Sequence, residues 1–245
     1  MIKVTIYNEG RHDLKDHIKA IYPDGMHGAI KEALEAAGDI KVTCITLDEV
    51  LEKGFSDELL NETDVLFWWG HMAHGEVPDE LVDRVQKKVL EGMGLVVLHS
   101  GHFSKIFKRL TGTGCNLKWR ESGDKERIWT TAPHHPIAAG LPDGFVLEHE
   151  ETYGEHFDIP QPDETVFMSW FSGGEVFRSG CTFHRGNGKI FYFRPGHETF
   201  PTFYDENVRK VLVNAAHWAA TEKGVFQTYG HYPSPETGKY KADEE

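Results

Sequence analysis

The chain is poor in cysteine, with only Cys44, Cys115 and Cys181 in 245 residues. Odd in number and far apart, they allow neither a disulfide framework nor a Cys-x-x-Cys zinc clip. A reducing cytoplasm is the simplest compartment for such a chain. Long apolar runs are also missing. None approaches the roughly 20 residues needed to span a bilayer, so no membrane partner is expected. The N-terminal MIKVTIYNEG lacks the apolar core of a secretory signal and reads as a first strand. Positive charge is scarce: 26 Lys and Arg stand against 39 Asp and Glu, a net charge of −13. No phosphate-neutralising excess exists, which disfavours a non-specific nucleic-acid binder and is compatible with a neutral small molecule or a cation as ligand. Part of the acidity is local, in the C-terminal KYKADEE, which reads as a solvated tail. Neither a low-complexity linker nor an internal repeat is present, so one domain is expected.

Aromatic residues, by contrast, are plentiful: 6 Trp, 15 Phe and 8 Tyr. Residues 2–7 read as a strand and 24–37 as a helix stopped by Gly38. A second strand covers 41–47, and Asp48 is expected to cap a short helix. Residues 64–69 form a third strand, and Pro78 opens a helix to about Glu91. GLVVLHS is a fourth strand, and FSKIFKRL begins the next helix. This alternation predicts a parallel, doubly wound sheet. After residue 112 the rhythm changes. KWRESGDKERIWTTA, ETVFMSWF, GEVFRSGCTFHR and GKIFYFRP read as strands, with SGGE and RGNGK as turns, so part of this half is expected to be antiparallel. A last helix covers about 205–220.

Five histidines sit where these strand-like runs end: His71 and His74 in FWWGHMAHGEVP, His99 and His102 in GLVVLHSGHFSKIF, and His197 in GKIFYFRPGHETFP. Ligands bind at the carboxyl ends of strands in open α/β sheets, so three strands carrying imidazoles to one edge point to a metal or acid/base site. A first-row ion, zinc above all, suits imidazole plus carboxylate. His71, His99 and His197 are the preferred ligands, with His102 as a fourth ligand or acid/base group. Carboxylate candidates are Glu150, Glu151 and Glu155, and Glu9 at the end of the first strand. Trp68, Trp69, Phe103, Trp119, Tyr153, Phe200 and Phe203 flank these motifs. Aromatic faces beside polar groups suit stacking on carbohydrate, although core packing is the default for most of them. Arg178 and Arg194 could hold substrate oxygens or form structural ion pairs.

The strand–turn–helix at LHSGHFSKIF makes an elbow that exposes a side chain beside helix N–H groups. It resembles the nucleophile elbow of class I glutamine amidotransferases, with His99 where their cysteine stands. An imidazole cannot replace a thiolate in amide transfer, so that chemistry is excluded. Ser100 is left as a candidate serine nucleophile, with His197 as its base.

Taken together, VTIYNEGRH (4–12), IYPDGMHGAI (21–30), FWWGHMAHGEV (67–77), VLHSGHFSKIFKRLTGTGCNLKWRE (97–121), HPIAAGLPDGF (135–145), EETYGEHFDIP (150–160) and GGEVFRSGCTFHRGNGKIFYFRPGHETFP (173–201) resemble the trehalose-utilisation, or ThuA-like, family. The resemblance implies a flavodoxin-like three-layer sandwich of the class I glutamine amidotransferase type, with an antiparallel embellishment in the second half. It also implies a role in carbohydrate catabolism, with a sugar as the small-molecule partner: a disaccharide or its 3-keto form. Glu151 is the carboxylate it favours for catalysis, beside His102 and Ser100; Glu9, Trp69, Tyr153 and Arg194 are candidate substrate contacts. Three readings follow: a metal-dependent enzyme, a metal-independent hydrolase using Ser100 and His197, and a non-catalytic sugar-binding or regulatory protein. The antiparallel insertion, about 113–131 and 160–185, adds edges that a second copy could cover, so a homo-oligomer is expected.

Overall fold

The protein, described as a computed structural model over residues 1–220 and Glu236, is built on one nine-stranded sheet; the KYKADEE tail lies outside the described residues. Strands β1 (Ile2–Asn8), β2 (Ile40–Thr46), β3 (Val65–Trp69), β4 (Gly94–Leu98) and β9 (Gly188–Phe193) form a parallel half in the order β2-β1-β3-β4-β9. From β9 the sheet continues antiparallel through β8 (Val176–Arg185), β7 (Glu164–Phe171), β5 (Lys118–Thr130) and β6 (Gly144–Gly154).

The central strands are apolar on both faces because helices cover both. Val4, Ile6, Phe67, Val96 and Leu98 pack with helices α2 (Gly25–Glu35) and α7 (Glu206–Ala219). Tyr7, Leu66, Trp68, Leu95 and Val97 face the other way. There they meet α3 (Leu47–Lys53), α4 (Asp57–Glu62), α5 (Asp79–Glu91) and α6 (Lys105–Thr111). This is the expected three-layer sandwich. Among the described residues, no helix is long and apolar enough to cross a membrane.

Several local expectations are corrected. Thr46, not Asp48, caps α3: its hydroxyl accepts from Glu49 N while the Glu49 side chain accepts from Thr46 N, a reciprocal capping box. The fourth strand ends at Leu98, because His99–Phe103 wind into a 3₁₀ turn before Ser104 caps α6. The short helices α1 (Asp16–Ile21) and α4, and strand β6, were not anticipated. In β6 the run of glutamates conceals the apolar alternation that normally marks a strand.

Strand direction is what positions the site. The parallel strands all end at one sheet edge. Because each of the pairs β9–β8, β8–β7, β7–β5 and β5–β6 is antiparallel, β6 again runs in the direction of β1. Its carboxyl end, Glu150–Gly154, and the start of β5 therefore face the same edge. Register shifts between Arg120 and Glu126 mark a bulge, the device that bends a strand, and the end of this ribbon reaches the β4 turn.

Candidate metal centre

Four side chains from four strand ends converge. His71 follows β3, His99 follows β4, Glu151 lies on β6, and His197 follows β9; one ligand atom from each lies within 4.8 Å of all the others. His99 Nε2 is 3.1 Å from Glu151 Oε2, and His197 Nε2 is 3.9 Å from the same oxygen. The rings of His99 and His197 stand edge to face at 5.2 Å, and those of His71 and His197 at 5.7 Å.

Each member is braced from behind. His99 takes φ +50° at the elbow, a conformation rare for a residue with a Cβ. Its Nδ1 lies 2.9 Å from the Arg194 carbonyl. His71 is set by Glu9, whose carboxylate accepts from the backbone N–H groups of His71, Met72 and Ala73 at 2.7–3.1 Å. His197 Nδ1 faces Thr199 Oγ1 at 2.7 Å. Gly196, just before it, has φ +129°, and a Cβ there would meet the Phe203 ring at 2.6 Å, so only glycine suits this turn.

Burial controls the charge states. Desolvation is the main cause that lowers His71 and drops His99 and His197 to about 3, so all three imidazoles are neutral near pH 7 and can offer a lone pair. Glu151 is raised, chiefly by burial, with the neighbouring histidines opposing the shift. Its buried Oε2 has no hydrogen-bond partner, although His99 Nε2 is only 3.1 Å away. Three neutral imidazoles and one orphaned carboxylate oxygen aimed at a common point fit a zinc-type ion. The second contact made by His99 is the kind that orients metal-binding histidines.

The cluster opens on a cavity of about 550 Å³. His71, His197, Glu151, Ser100, His102 and Tyr153 reach its wall, while His99 is fully buried beside it. His102 stands apart from the cluster: its Nδ1 lies 2.8 Å from the Cys115 carbonyl, and burial drops it to about 3. The fourth place in the cluster thus belongs to Glu151. Ser100 Oγ is buried without a hydrogen-bond partner, so the Ser100–His197 hydrogen bond that would activate a serine is not formed. Tyr153 stacks on His99, with its hydroxyl 3.5 Å from His99 Nε2.

Glu9, Trp69 and Arg194 do not line the cavity. All three are buried, and their polar groups serve the protein itself. Glu9 holds the His71 loop, and Trp69 Nε1 donates to the Gly196 carbonyl at 3.0 Å. Arg194 is fully buried between Glu126 and Glu150. Of the other acidic candidates, Glu150 accepts from Gly196 N and Thr202 Oγ1, and Glu155 pairs with Arg178 at 2.8 Å.

Two residues were missed. Glu198 Oε2, also without a hydrogen-bond partner, lies 3.7 Å from His197 Nε2 and 3.8 Å from His71 Nε2. His12 Nε2 is 3.3 Å from Glu198 Oε1. Burial raises Glu198 to about 7 and lowers His12 to about 4. Their signal was position: His12 follows the first strand within NEGRH, and Glu198 adjoins His197.

A sequence profile of the ThuA family, described as trehalose utilisation, matches residues 3–219. No curated protein matches the chain. Among solved structures, a ThuA-like protein from Parabacteroides merdae superposes with a TM-score of 0.71 at 16% identity, covering 96% of this chain and 93% of that one. A cytoplasmic protein from Salmonella typhimurium gives 0.63 at 12% identity, over 91% of this chain and all of the other. A glutamine amidotransferase from Thermotoga maritima gives 0.51 at 12% identity, over 88% and 96%. At these identities the likeness is one of fold.

Proposed function

The chain belongs to the trehalose-utilisation (ThuA) family, and from that premise we propose that it is a metal-dependent enzyme of carbohydrate catabolism. Its substrate is a disaccharide or the 3-keto form of one, and its ion is zinc. The convergence of His71, His99, Glu151 and His197 on one point, with an unpaired carboxylate oxygen among them, carries this reading. A cytoplasmic location accords with the fold neighbour from Salmonella.

An ion held there would polarise a keto oxygen or lower the pKa of a water. The chain supplies the rest. Glu198 Oε2 faces the same space and is the group to move a proton α to the carbonyl, steadied by His12 at its other oxygen. His102 and Tyr153 shape the wall beside it. The absence of a hydrogen bond at Ser100 Oγ favours this reading over a serine hydrolase.

The test is elemental analysis of protein purified without metal-affinity resin, read beside turnover of a 3-keto-disaccharide. About one transition ion per chain is expected. His99→Ala should lose most of it, and chelation should stop turnover. Protein that retains full turnover after the ion is stripped would overturn the proposal.

A further inference from the structure

Outside the cluster, the cavity runs to a rim formed by the start of β5. Trp119 stands on this rim, 66% exposed. It pairs directly across the ribbon with Tyr153, whose ring stacks on His99 at 5.2 Å. Side chains paired across strands sit about 5 Å apart on one face, so the indole lies one side chain outward from the ligand cluster. Glu121, two residues on, also lines the cavity, and its Oε1 is 3.9 Å from His197 Nε2. Asn116 and Lys15 also reach the cavity. Trp129 and Trp170 are about half exposed as well, but neither lines the cavity. What sets Trp119 apart is its company: an apolar plate with a carboxylate, an amide and an ammonium group around one opening.

Such a set matches a pyranose, which has an apolar C–H face and a girdle of hydroxyls. A plate beside hydrogen-bonding groups binds the first and satisfies the second. The cavity, about 550 Å³, lies within the range of roughly 300–1,000 Å³ that encloses ligands larger than a single small ring.

We infer that Trp119 is the platform of an outer sugar subsite, where the second ring of a glycoside stacks while the first ring sits at His71, Glu151 and His197. The inference rests on the carbohydrate reading above and adds the residue that selects two linked rings over one. Glu121, Asn116 and Lys15 would take the outer ring's hydroxyls.

Calorimetric titration of the full chain tests it, with trehalose, maltose and cellobiose as two-ring probes and glucose as the one-ring probe. At least one disaccharide should bind more tightly than glucose. Trp119→Ala should weaken that disaccharide about tenfold and leave glucose unchanged, while Trp119→Phe keeps most of the preference. Because Trp119 is exposed, thermal unfolding should be the same in all three proteins. Disaccharide affinity unchanged in Trp119→Ala would overturn the subsite and leave the carbohydrate reading standing. A wild-type protein that binds none of the four sugars and no 3-keto-disaccharide would overturn both.

Discussion

The carbonyl oxygen of Arg194 lies 2.9 Å from Nδ1 of His99. A proton held on Nδ1 for that contact leaves the Nε2 lone pair facing Glu151 and the cluster. The same arginine reaches a second member of the cluster: its Nη1 donates to the Glu151 carbonyl at 2.5 Å. Its guanidinium pairs with Glu126 and Glu150, both fully buried. Glu150 also accepts from Gly196 N, next to His197. One buried cation thereby braces three of the four candidate ligands from behind.

Removing that cation should be severe. Arg194→Met leaves two carboxylates without their cation in the interior, and breaking a buried pair in this way costs about 3–5 kcal/mol. Urea denaturation should show a loss of that order, and the variant's metal content should fall with it. A change within about 0.5 kcal/mol, as for a surface site, would mean that the network bears no such load.

Acid should destabilise the metal-free fold. Burial holds His99, His102 and His197 at about 3, and His12 and His74 at about 4, against an ordinary value of 6.5. Below 6.5 the unfolded chain binds these protons and the native chain does not, so stability falls as pH drops from about 6.5 towards 4. Glu126 and Glu198, raised to about 7 from 4.5, act in the opposite sense between 4.5 and 7. Glu151 is raised as well, but five histidines outweigh three carboxyls. Urea midpoints measured with a chelator present should be lower at pH 5 than at pH 7.5; equal midpoints would contradict the buried neutral histidines.

Glutamine should not be hydrolysed. The strained elbow position, φ +50°, carries His99 rather than a thiol, and Cys115 and Cys181 are both buried. Ammonia release from glutamine should stay at background, and thiol alkylation should leave turnover of the sugar substrate mostly intact. Glutaminase activity that survives Cys115→Ser and Cys181→Ser would show that the elbow hydrolyses amides without a thiol.

We also propose that the chain assembles with itself. Val146, Arg127, Trp170 and Val176 align across β6, β5, β7 and β8, and the three apolar members are each at least 44% exposed. A second copy would bury this row. Light scattering at low micromolar concentration should give at least twice 27.8 kDa, and Trp170→Glu should lower the mass. A wild-type mass near 27.8 kDa would sink the prediction.

The elements with a clean apolar rhythm were legible in sequence. Strand β7 was found at its observed limits, and the last helix within one residue at each end. The three clustered histidines were legible because each follows an apolar strand run that breaks at glycine or at a turn. Strand β6 was not, since its glutamates read as a solvated face. Glu9, Trp69 and Arg194 were placed near the right edge but given the wrong direction. A polar side chain at a strand end can face the cavity or the interior, and only the surrounding packing decides which.

By itself the sequence determined the local periods, the turns and the strand ends, and therefore which residues reach the functional edge of a parallel sheet. Those properties depend on neighbours a few residues apart. The tertiary structure alone decided that Glu151, on an antiparallel extension, completes the cluster, that Glu198 and His12 face it, and that Arg194 is locked between Glu126 and Glu150. These depend on strand order, a β5 bulge and the burial of charge, all set by contacts between segments tens of residues apart.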